Sequence, residues 1–398
     1  MERLFEKMHI RIMLKEIIFF CYGDSANAST WSNVPYMFTR TLQDKGIKVR
    51  RVDIAPDRYL NAIYNRTIYR LNKLLYPNNF QTFIRTKLFK YLTEKKIKRA
   101  VNKYNNADYC IFACFDFVNK YNNIPSLLFS DWTYDIQIAR SGREPYAFER
   151  RYSVWQRDAI NSAETVVSLF PHCAEAMKNA YPDANIHYLG DNVINLLYDG
   201  DIDAAVITER KTESDTILFI GGGKYRDGAR MLVRAFEILS EENPQLKLHI
   251  VGMTDGEAGV RGADRIHCYG YLNKSIKSER ATYYRLLSEA KVIVNPTPLW
   301  AGYSSIVEAM YFYTPVVVSE YEDFKQEFGE GHIDFGEYIE KYTPESLAGA
   351  IRRVIYNNSY REFCSNAHER VKNYTWDSYI DKLLTLLNTG LCKRNVIY

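Results

Sequence analysis

Residues 291–320, KVIVNPTPLWAGYSSIVEAMYFYTPVVVSE, constrain the fold more than any other stretch. They read as strand, small-residue loop, helix and strand in immediate succession. Residues 291–295 are apolar and β-branched, as a strand buried on both faces of a parallel sheet requires. Pro296 and Pro298 end that strand, and the loop after them carries Ala301, Gly302, Ser304 and Ser305. A helix is predicted from about Ser305, with Glu308 the lone acid among Ile306, Val307, Ala309 and Met310. Thr314 precedes Pro315 and so leaves the α region, which stops the helix before the strand at 316–318. In open α/β sheets, a small-residue loop entering a helix at the carboxyl end of a strand is a ligand position. The first helical amides there suit an anion. An ordinary βαβ unit with Glu308 in solvent fits the same letters.

The same alternation runs along most of the chain. Residues 15–21 form a strand, 22–33 a polar loop, 34–45 a helix and 48–54 a strand, which together make a βαβ unit. Strands are predicted at 109–115, 127–130, 165–169 and 187–189, with helices at 147–163 and 172–180. Residues 194–215, rich in Asp, Thr and Glu and without periodicity, read as a linker. Alternation restarts with strands at 216–221, 247–251, 266–272 and 333–335, and helices at 229–240, 281–290, 345–356, 360–373 and 378–387. The fold class is α/β with two doubly wound, Rossmann-like domains. A chain of 398 residues exceeds one compact core, so two domains are expected on length alone.

No apolar run approaches the roughly 20 residues of a membrane span. The first sixteen residues mix acids with bases and lack a signal peptide's apolar centre. Seven scattered cysteines point to reduced thiols rather than a disulfide framework or zinc site, and so to a cytoplasmic protein. Charge is uneven: residues 1–200 hold 28 Lys and Arg against 20 Asp and Glu. Twelve bases and one acid, Glu94, fall within residues 58–103, interleaved with tyrosine, phenylalanine and leucine. Basic helices with aromatic and aliphatic faces suit an anionic membrane surface, which would make the protein peripheral on the inner membrane face. A solvated helix face is the plain alternative. Nucleic acid is not expected as a partner, since no nucleic-acid-binding motif accompanies the patch.

Several residues could carry chemistry. Residues 221–228, GGGKYRDG, lie between a strand and a helix. Gly222 and Gly223 allow close backbone approach to a diphosphate, and Lys224 and Arg226 offer it charge-assisted hydrogen bonds. The run is neither GxGxxG nor a Walker loop, and a tight turn with solvated bases fits it too. Asp131 ends a strand in Ser130-Asp131-Trp132-Thr133, where a carboxylate can orient a hydroxyl, accept a proton, or simply cap a turn. His172 follows a strand and precedes a helix, as a ligand-facing donor or as a capping residue.

The order of these motifs resembles that of retaining, nucleotide-sugar-dependent glycosyltransferases of the GT-B fold, family 4. Ser29-Thr30-Trp31-Ser32-Asn33-Val34-Pro35-Tyr36 is similar to the family's TWSGxPY segment. Residues 163–168 resemble its ADxVxxS strand, 190–195 its GxGVN, 248–252 its LxIVG and 268–270 its FxG. Residues 219–236 resemble FVGGxxxRKGxxxLxxAF, and 295–318 resemble PTxxEGFGxxxxEAMxxxxPVV. Two positions depart from the pattern. Trp300 stands where the first glutamate of the E-x7-E pair belongs, and Asp227 replaces the lysine of RKG.

The resemblance implies two Rossmann-like domains facing across a cleft. Residues 1–195 would bind the acceptor, 196–375 the nucleotide sugar, and 376–398 would form a helix returning to the first domain. It implies Glu308 on the ribose, and the diphosphate held by Gly222, Gly223, Lys224, Arg226 and the amides around Gly302, Tyr303, Ser304 and Ser305. Trp300 would lie near the sugar. Ser29, Thr30, Trp31, Ser32, Trp132 and His172 would lie on the acceptor side, with Asp131 and Arg226 in catalytic roles. The activity implied is hexosyl transfer, with retention, to a glycan or lipid-linked acceptor in cell-surface polysaccharide synthesis, with no cofactor and no metal. Two other readings remain at this stage. One is a catalytically silent scaffold, suggested by Trp300 and Asp227. The other is a GT-B sugar-nucleotide epimerase, against which the Thr30-Trp31-Ser32 loop and the closing helices speak.

Overall fold

The computed structural model describes residues 14–190, 193–198, 200–262, 264–298 and 303–395. They divide into two units, one running to Gly190 and resuming at Trp376, the other lying between. The first unit runs β1 (Glu16–Cys21), α1 (Val34–Asp44), β2 (Lys48–Asp53), α2 (Arg58–Arg66), α3 (Ile68–Leu75), α4 (Lys87–Lys103), β3 (Tyr109–Phe112) and β4 (Ser126–Ser130). It continues through α5 (Tyr134–Arg140), α6 (Ala147–Ser162), β5 (Thr165–Ser168), α7 (Pro171–Ala180) and β6 (Ile186–Tyr188). The second unit runs α8 (Ala204–Glu213), β7 (Thr216–Ile220), α9 (Arg226–Glu242), β8 (Lys247–Val251), α10 (Asp255–Ala258), β9 (Ile266–Cys268) and α11 (Lys277–Glu289). It ends with β10 (Val292–Asn295), α12 (Ser304–Tyr311), β11 (Val316–Val318), α13 (Glu322–Phe328), β12 (Gly336–Tyr338), α14 (Pro344–Ile355) and α15 (Tyr360–Val371), before α16 (Trp376–Asn395).

Each unit holds a six-stranded sheet whose neighbouring strands are all parallel. The first has the order β2-β1-β3-β4-β5-β6, so the winding reverses between β1 and β3. The second has the order β12-β11-β10-β7-β8-β9, which reverses between β7 and β10. These reversals matter because ligands of open α/β sheets bind beyond the strands' carboxyl ends at such points.

Helix α16 completes the first unit's core. Trp376 meets Phe38 edge-on at 5.7 Å and Phe129 at 6.5 Å, and Tyr379 meets Phe129 at 6.1 Å. Lys45, at the end of α1, bridges Asp377 and Asp381 at 2.7 Å each. In the second unit α9 and α14 cover one sheet face with Leu232, Phe236, Ile351 and Val354, over Phe219 and Ile250.

The structure corrects several sequence expectations. The linker at 194–215 contains a helix, α8, capped by Asp203, whose carboxylate accepts from the Val206 amide. Its inward face carries Lys211, whose ammonium is fully buried and donates to the carbonyls of Leu287 and Ala290 and to Thr314 Oγ1 at 2.7–3.0 Å. The last strand is β12 at Gly336–Tyr338 rather than at 333–335, and α5, α10 and α13 form where no helix was expected. Phe170, not His172, is the N-cap residue of α7, and His172 lies in the first turn with Pro171. Cys21, Cys110, Cys114, Cys173, Cys268 and Cys364 are free thiols. Among the described residues no helix is long and apolar enough to cross a membrane.

Gly252, just after β8, sits at φ +100°, and a Cβ there would lie 2.6 Å from the carbonyl oxygen of Gly221. Backbone strain and backbone overlap both oppose any side chain. Gly252→Ala is expected to cost about 2–4 kcal/mol, read as a lower urea midpoint with an unchanged slope.

Candidate functional site

The second unit's reversal brings together the two stretches that the sequence singles out. β7 ends at Ile220 and leads through Gly221 and Gly222 into a single 3-10 turn, Gly223–Tyr225, that runs directly into α9. β10, the neighbouring strand, ends at Asn295 and leads to α12. Ser305 Oγ donates to the carbonyl of Ile220 at 3.4 Å, tying the start of α12 to the end of β7. Gly222, Gly223, Lys224 and Arg226 are all exposed. Arg226 has only a loose ion pair at 3.9 Å, with Glu257. Asp227 lies in the first turn of α9, where a carboxylate favours the positive end of the helix dipole. That position accounts for an acid beside two bases.

Around α12 the side chains divide. Tyr303 is fully buried against Phe324 at 5.7 Å and Phe328 at 5.9 Å, so its ring belongs to the core and only its backbone can serve a ligand. Ser304 is exposed and Ser305 partly so, at the start of the helix. Trp300 and Gly302 lie outside the described residues.

Glu308 is 4% exposed and faces inward. Lys274 Nζ donates to both its oxygens at 2.7 Å, Tyr283 OH to Oε2 at 2.8 Å and Tyr284 OH to Oε1 at 3.1 Å. A carboxylate has about four acceptor positions, and here all are in use. Burial, followed by the Glu308 charge, pushes both phenols well above their ordinary value, so both remain donors. Glu308 is therefore not in solvent, as the plain βαβ reading had it, and protein donors fill its acceptor positions. Lys274, Tyr283 and Tyr284 were not legible as its partners, because they lie 24 to 34 residues away with no motif around them.

In the first unit a cavity of about 240 Å³ opens at the β1–β3 reversal. Trp31, Asp131 and Trp132 line it. Trp31, Ser32 and Asn33 are held at φ 40°, 51° and 72°, a left-handed turn that non-glycine residues rarely adopt. Asp131 Oδ1 accepts from the Trp132 amide at 2.8 Å and from the Ser130 hydroxyl at 3.3 Å. Trp132 stacks under Arg140, 4.0 Å from the ring centre. Ser29 and Thr30 bond within their own loop, to Asn27 and to the Asp24 carbonyl, and Ser32 is exposed. His172 is partly buried in the first turn of α7 and is not among the residues lining the cavity.

The cavity also contains groups that sequence reasoning missed. Asp116 accepts from Tyr22 OH at 2.7 Å, Tyr152 OH at 2.6 Å and Gln156 Nε2 at 2.9 Å. Arg85, which the sequence placed in a membrane-facing basic stretch, lines the cavity as well.

Comparison with known proteins now bears on this geometry. The sequence pattern of the glycosyl transferases group 1 family matches residues 203–375. The second unit belongs to that family. The chain is a glycosyltransferase that takes its sugar from a nucleotide-sugar donor, and its fold is GT-B, two six-stranded parallel α/β units. Sucrose-phosphate synthase from Thermosynechococcus elongatus is similar at 17% identity and TM-score 0.62, over 96% of this chain and 99% of that one. WaaG, a glycosyltransferase involved in lipopolysaccharide biosynthesis, is similar at 15% identity and TM-score 0.61, over 93% and 99%. Anabaena HepE, solved with UDP and glucose, is similar at 15% and 0.54, over 96% and 99%. At such identities these structures speak to the fold alone. No curated protein sequence matches the chain.

The Glu308 cluster makes a testable demand on stability in the group 1 unit. Lys274→Met leaves a buried carboxylate without its cation and is expected to cost about 3–5 kcal/mol in urea denaturation. Pairing it with Glu308→Leu is expected to recover most of that loss.

Proposed function

We propose that the chain transfers a hexose, with retention, from a nucleoside-diphosphate donor to a glycan or lipid-linked acceptor in cell-surface polysaccharide synthesis at the cytoplasmic membrane face. The observation that carries this reading is the junction of the Gly222–Arg226 turn with the start of α12 at the second unit's strand reversal. Two exposed cations and a set of helix-start amides converge there, as a leaving diphosphate needs. In this reading the unit holding residues 196–375 takes the donor, and residues 1–195 with the returning helix take the acceptor.

Lys224 and Arg226 neutralise the charge that builds on the diphosphate as the anomeric carbon–oxygen bond breaks. The amides of Ser304 and Ser305 share that charge, and no metal or cofactor is called on. The acceptor hydroxyl attacks from the face the diphosphate leaves, which preserves the anomeric configuration. Asp131 orients that hydroxyl and takes its proton. Glu308 reaches the ribose by exchanging one of its present donors for a ribose hydroxyl. Without an acid at position 300, sugar recognition falls to the loop amides, to Trp300 or to the acceptor unit.

A thermal-shift series with UDP, GDP, ADP, CMP and dTDP tests the donor reading. One diphosphate at about a hundred times its Kd should add about 2.7 kcal/mol of stability. Arg226→Ala should reduce that gain. No response to any of the five nucleotides would remove the reading.

Membrane docking is part of this reading, through α4 and the neighbouring α3. On α4, Lys96 donates to the Ala55 carbonyl at 3.0 Å and Lys95 lies over Tyr91 of the same helix, while Lys95, Lys96, Lys98 and Arg99 all remain exposed. Helix α3 has no buried residue, and Ile68, Leu71, Leu74 and Leu75 are 52–78% exposed beside Arg66, Arg70 and Lys73. Such a face suits insertion among anionic headgroups. Flotation on vesicles containing phosphatidylglycerol should retain the wild-type chain and release Leu71→Ser/Leu74→Ser/Leu75→Ser. Equal retention of the two would discard membrane docking through α3.

A further inference from the structure

The first unit's cavity contains a cation that no described carboxylate pairs with directly. Arg85 is partly buried at its edge, its guanidinium 4.3 Å from the ring centre of Tyr134 and 5.5 Å from that of Tyr152. One terminal nitrogen donates to the Phe80 carbonyl and the other to Gln137 Oε1 at 3.2 Å, while Nε is buried without an acceptor. Among the described residues no carboxylate pairs with it. Glu149, which accepts from the Tyr134 hydroxyl at 3.1 Å, is already matched by Arg143 through two bonds of 2.7 Å. Guanidinium groups offer five donors and stay charged at any physiological pH, so a partly buried one without a counter-charge is costly.

The acids of the cavity point their oxygens at other donors and make no direct contact with Arg85. Asp116 keeps its charge, but its oxygens are held by three neutral donors, Tyr22, Tyr152 and Gln156, rather than by Arg85. Gln156 is used at both ends, because its Oε1 accepts from the Tyr134 amide at 2.7 Å. Asp131 is turned towards Ser130 and its own following amide. A ligand that meets this wall therefore meets a cation with donors to spare and acids that are already engaged. The indoles of Trp31 and Trp132 give the same cavity apolar walls on which a sugar ring can lie. At about 240 Å³ it falls below the ~300–1,000 Å³ of drug-sized sites and suits one ring with one substituent.

We propose that this cavity takes an acceptor sugar bearing an anionic group, a carboxylate or a phosphate, read by Arg85 through charge-assisted hydrogen bonds. This inference rests on the reading of the first unit as the acceptor side. It adds the acceptor's chemical class and assigns recognition to a residue outside every motif. Gln137 is a positioning residue, tethering the guanidinium at the cavity edge. The anionic group lies at Arg85, and the ring's reactive hydroxyl lies towards Asp131.

The test is quenching of intrinsic tryptophan fluorescence in the full chain, titrated with glucose, glucuronate, glucose 6-phosphate and inorganic phosphate. The expected result is that at least one of the two anionic sugars binds about tenfold or more tighter than glucose, and tighter than inorganic phosphate. Preference for glucuronate identifies the carboxylate source, and preference for glucose 6-phosphate the phosphate source. Arg85→Gln should bring that sugar down to the affinity of glucose. Arg85→Lys, the milder change if the first does not fold, should lose at least about threefold because it cannot make a two-pronged contact. Equal binding of charged and neutral sugars, or an anion preference that survives both substitutions, overturns the proposal. So does the absence of any sugar response in a chain that still shows its nucleotide thermal shift, a result that leaves the donor reading standing.

Discussion

A buried carboxylate has to be surrounded by donors, and in the second unit that requirement organises the ligand end of the sheet. Glu308 draws Lys274 from the loop after β9 and Tyr283 and Tyr284 from α11 onto the inner face of α12. Tyr284 in turn accepts from the amide of Leu197 at 2.7 Å, so the segment entering the unit is fixed by the same cluster. Each bond alone is modest, but the low dielectric around the group makes removal of any one expensive. Lys211 is the cationic counterpart, about one turn further on at the carboxyl end of α11. It fastens α8 to the last carbonyls of that helix and to the turn before β11. Two polar clamps, one of each sign, therefore fix α11 between the start of the unit and α12.

The two units reach a usable cavity or crevice by the same route. In both, a strand beside the winding reversal leads into a segment marked by unusual residue choice or unusual backbone. After β7 the chain bends through three successive glycines over Gly252. After β1 it turns through Trp31, Ser32 and Asn33 in left-handed conformations without a glycine among them. Non-glycine residues held that way keep their side chains, and here that places an indole on the cavity wall. The glycine turn leaves amides and room; the side-chain turn leaves a shaped wall. This difference fits a diphosphate on one side and a sugar ring on the other.

Much of the fold was legible because parallel strands buried on both faces need long apolar runs, and the runs at residues 16–21, 216–220 and 292–295 are unmistakable. Helix α8 was not, because its inward face is Ile207, Thr208 and Lys211, two of which read as solvent residues. β12 was displaced because Ile333 and Phe335 are buried beside the sheet, while the ladder itself is made by Gly336, Glu337 and Tyr338. At the site, backbone features were readable from glycine, serine and proline, whose effects are local. Glu308's partners and Arg85's surroundings depend on residues far apart in sequence, and no local pattern records them. Arg85 was further hidden by its company, since one base among twelve in a basic stretch carries no mark of its different environment.

The return of α16 to the first unit sets the order in which the protein can form during synthesis. The segment holding β7–β12 is continuous and has all of its core once Thr375 has left the ribosome. The unit that begins the chain must wait, with Phe38 and Phe129 lacking their last neighbours, until Trp376 and Tyr379 arrive. The part translated first is thus the part finished last. Any chaperone that attends this chain at birth has most to protect on the face that α16 finally covers.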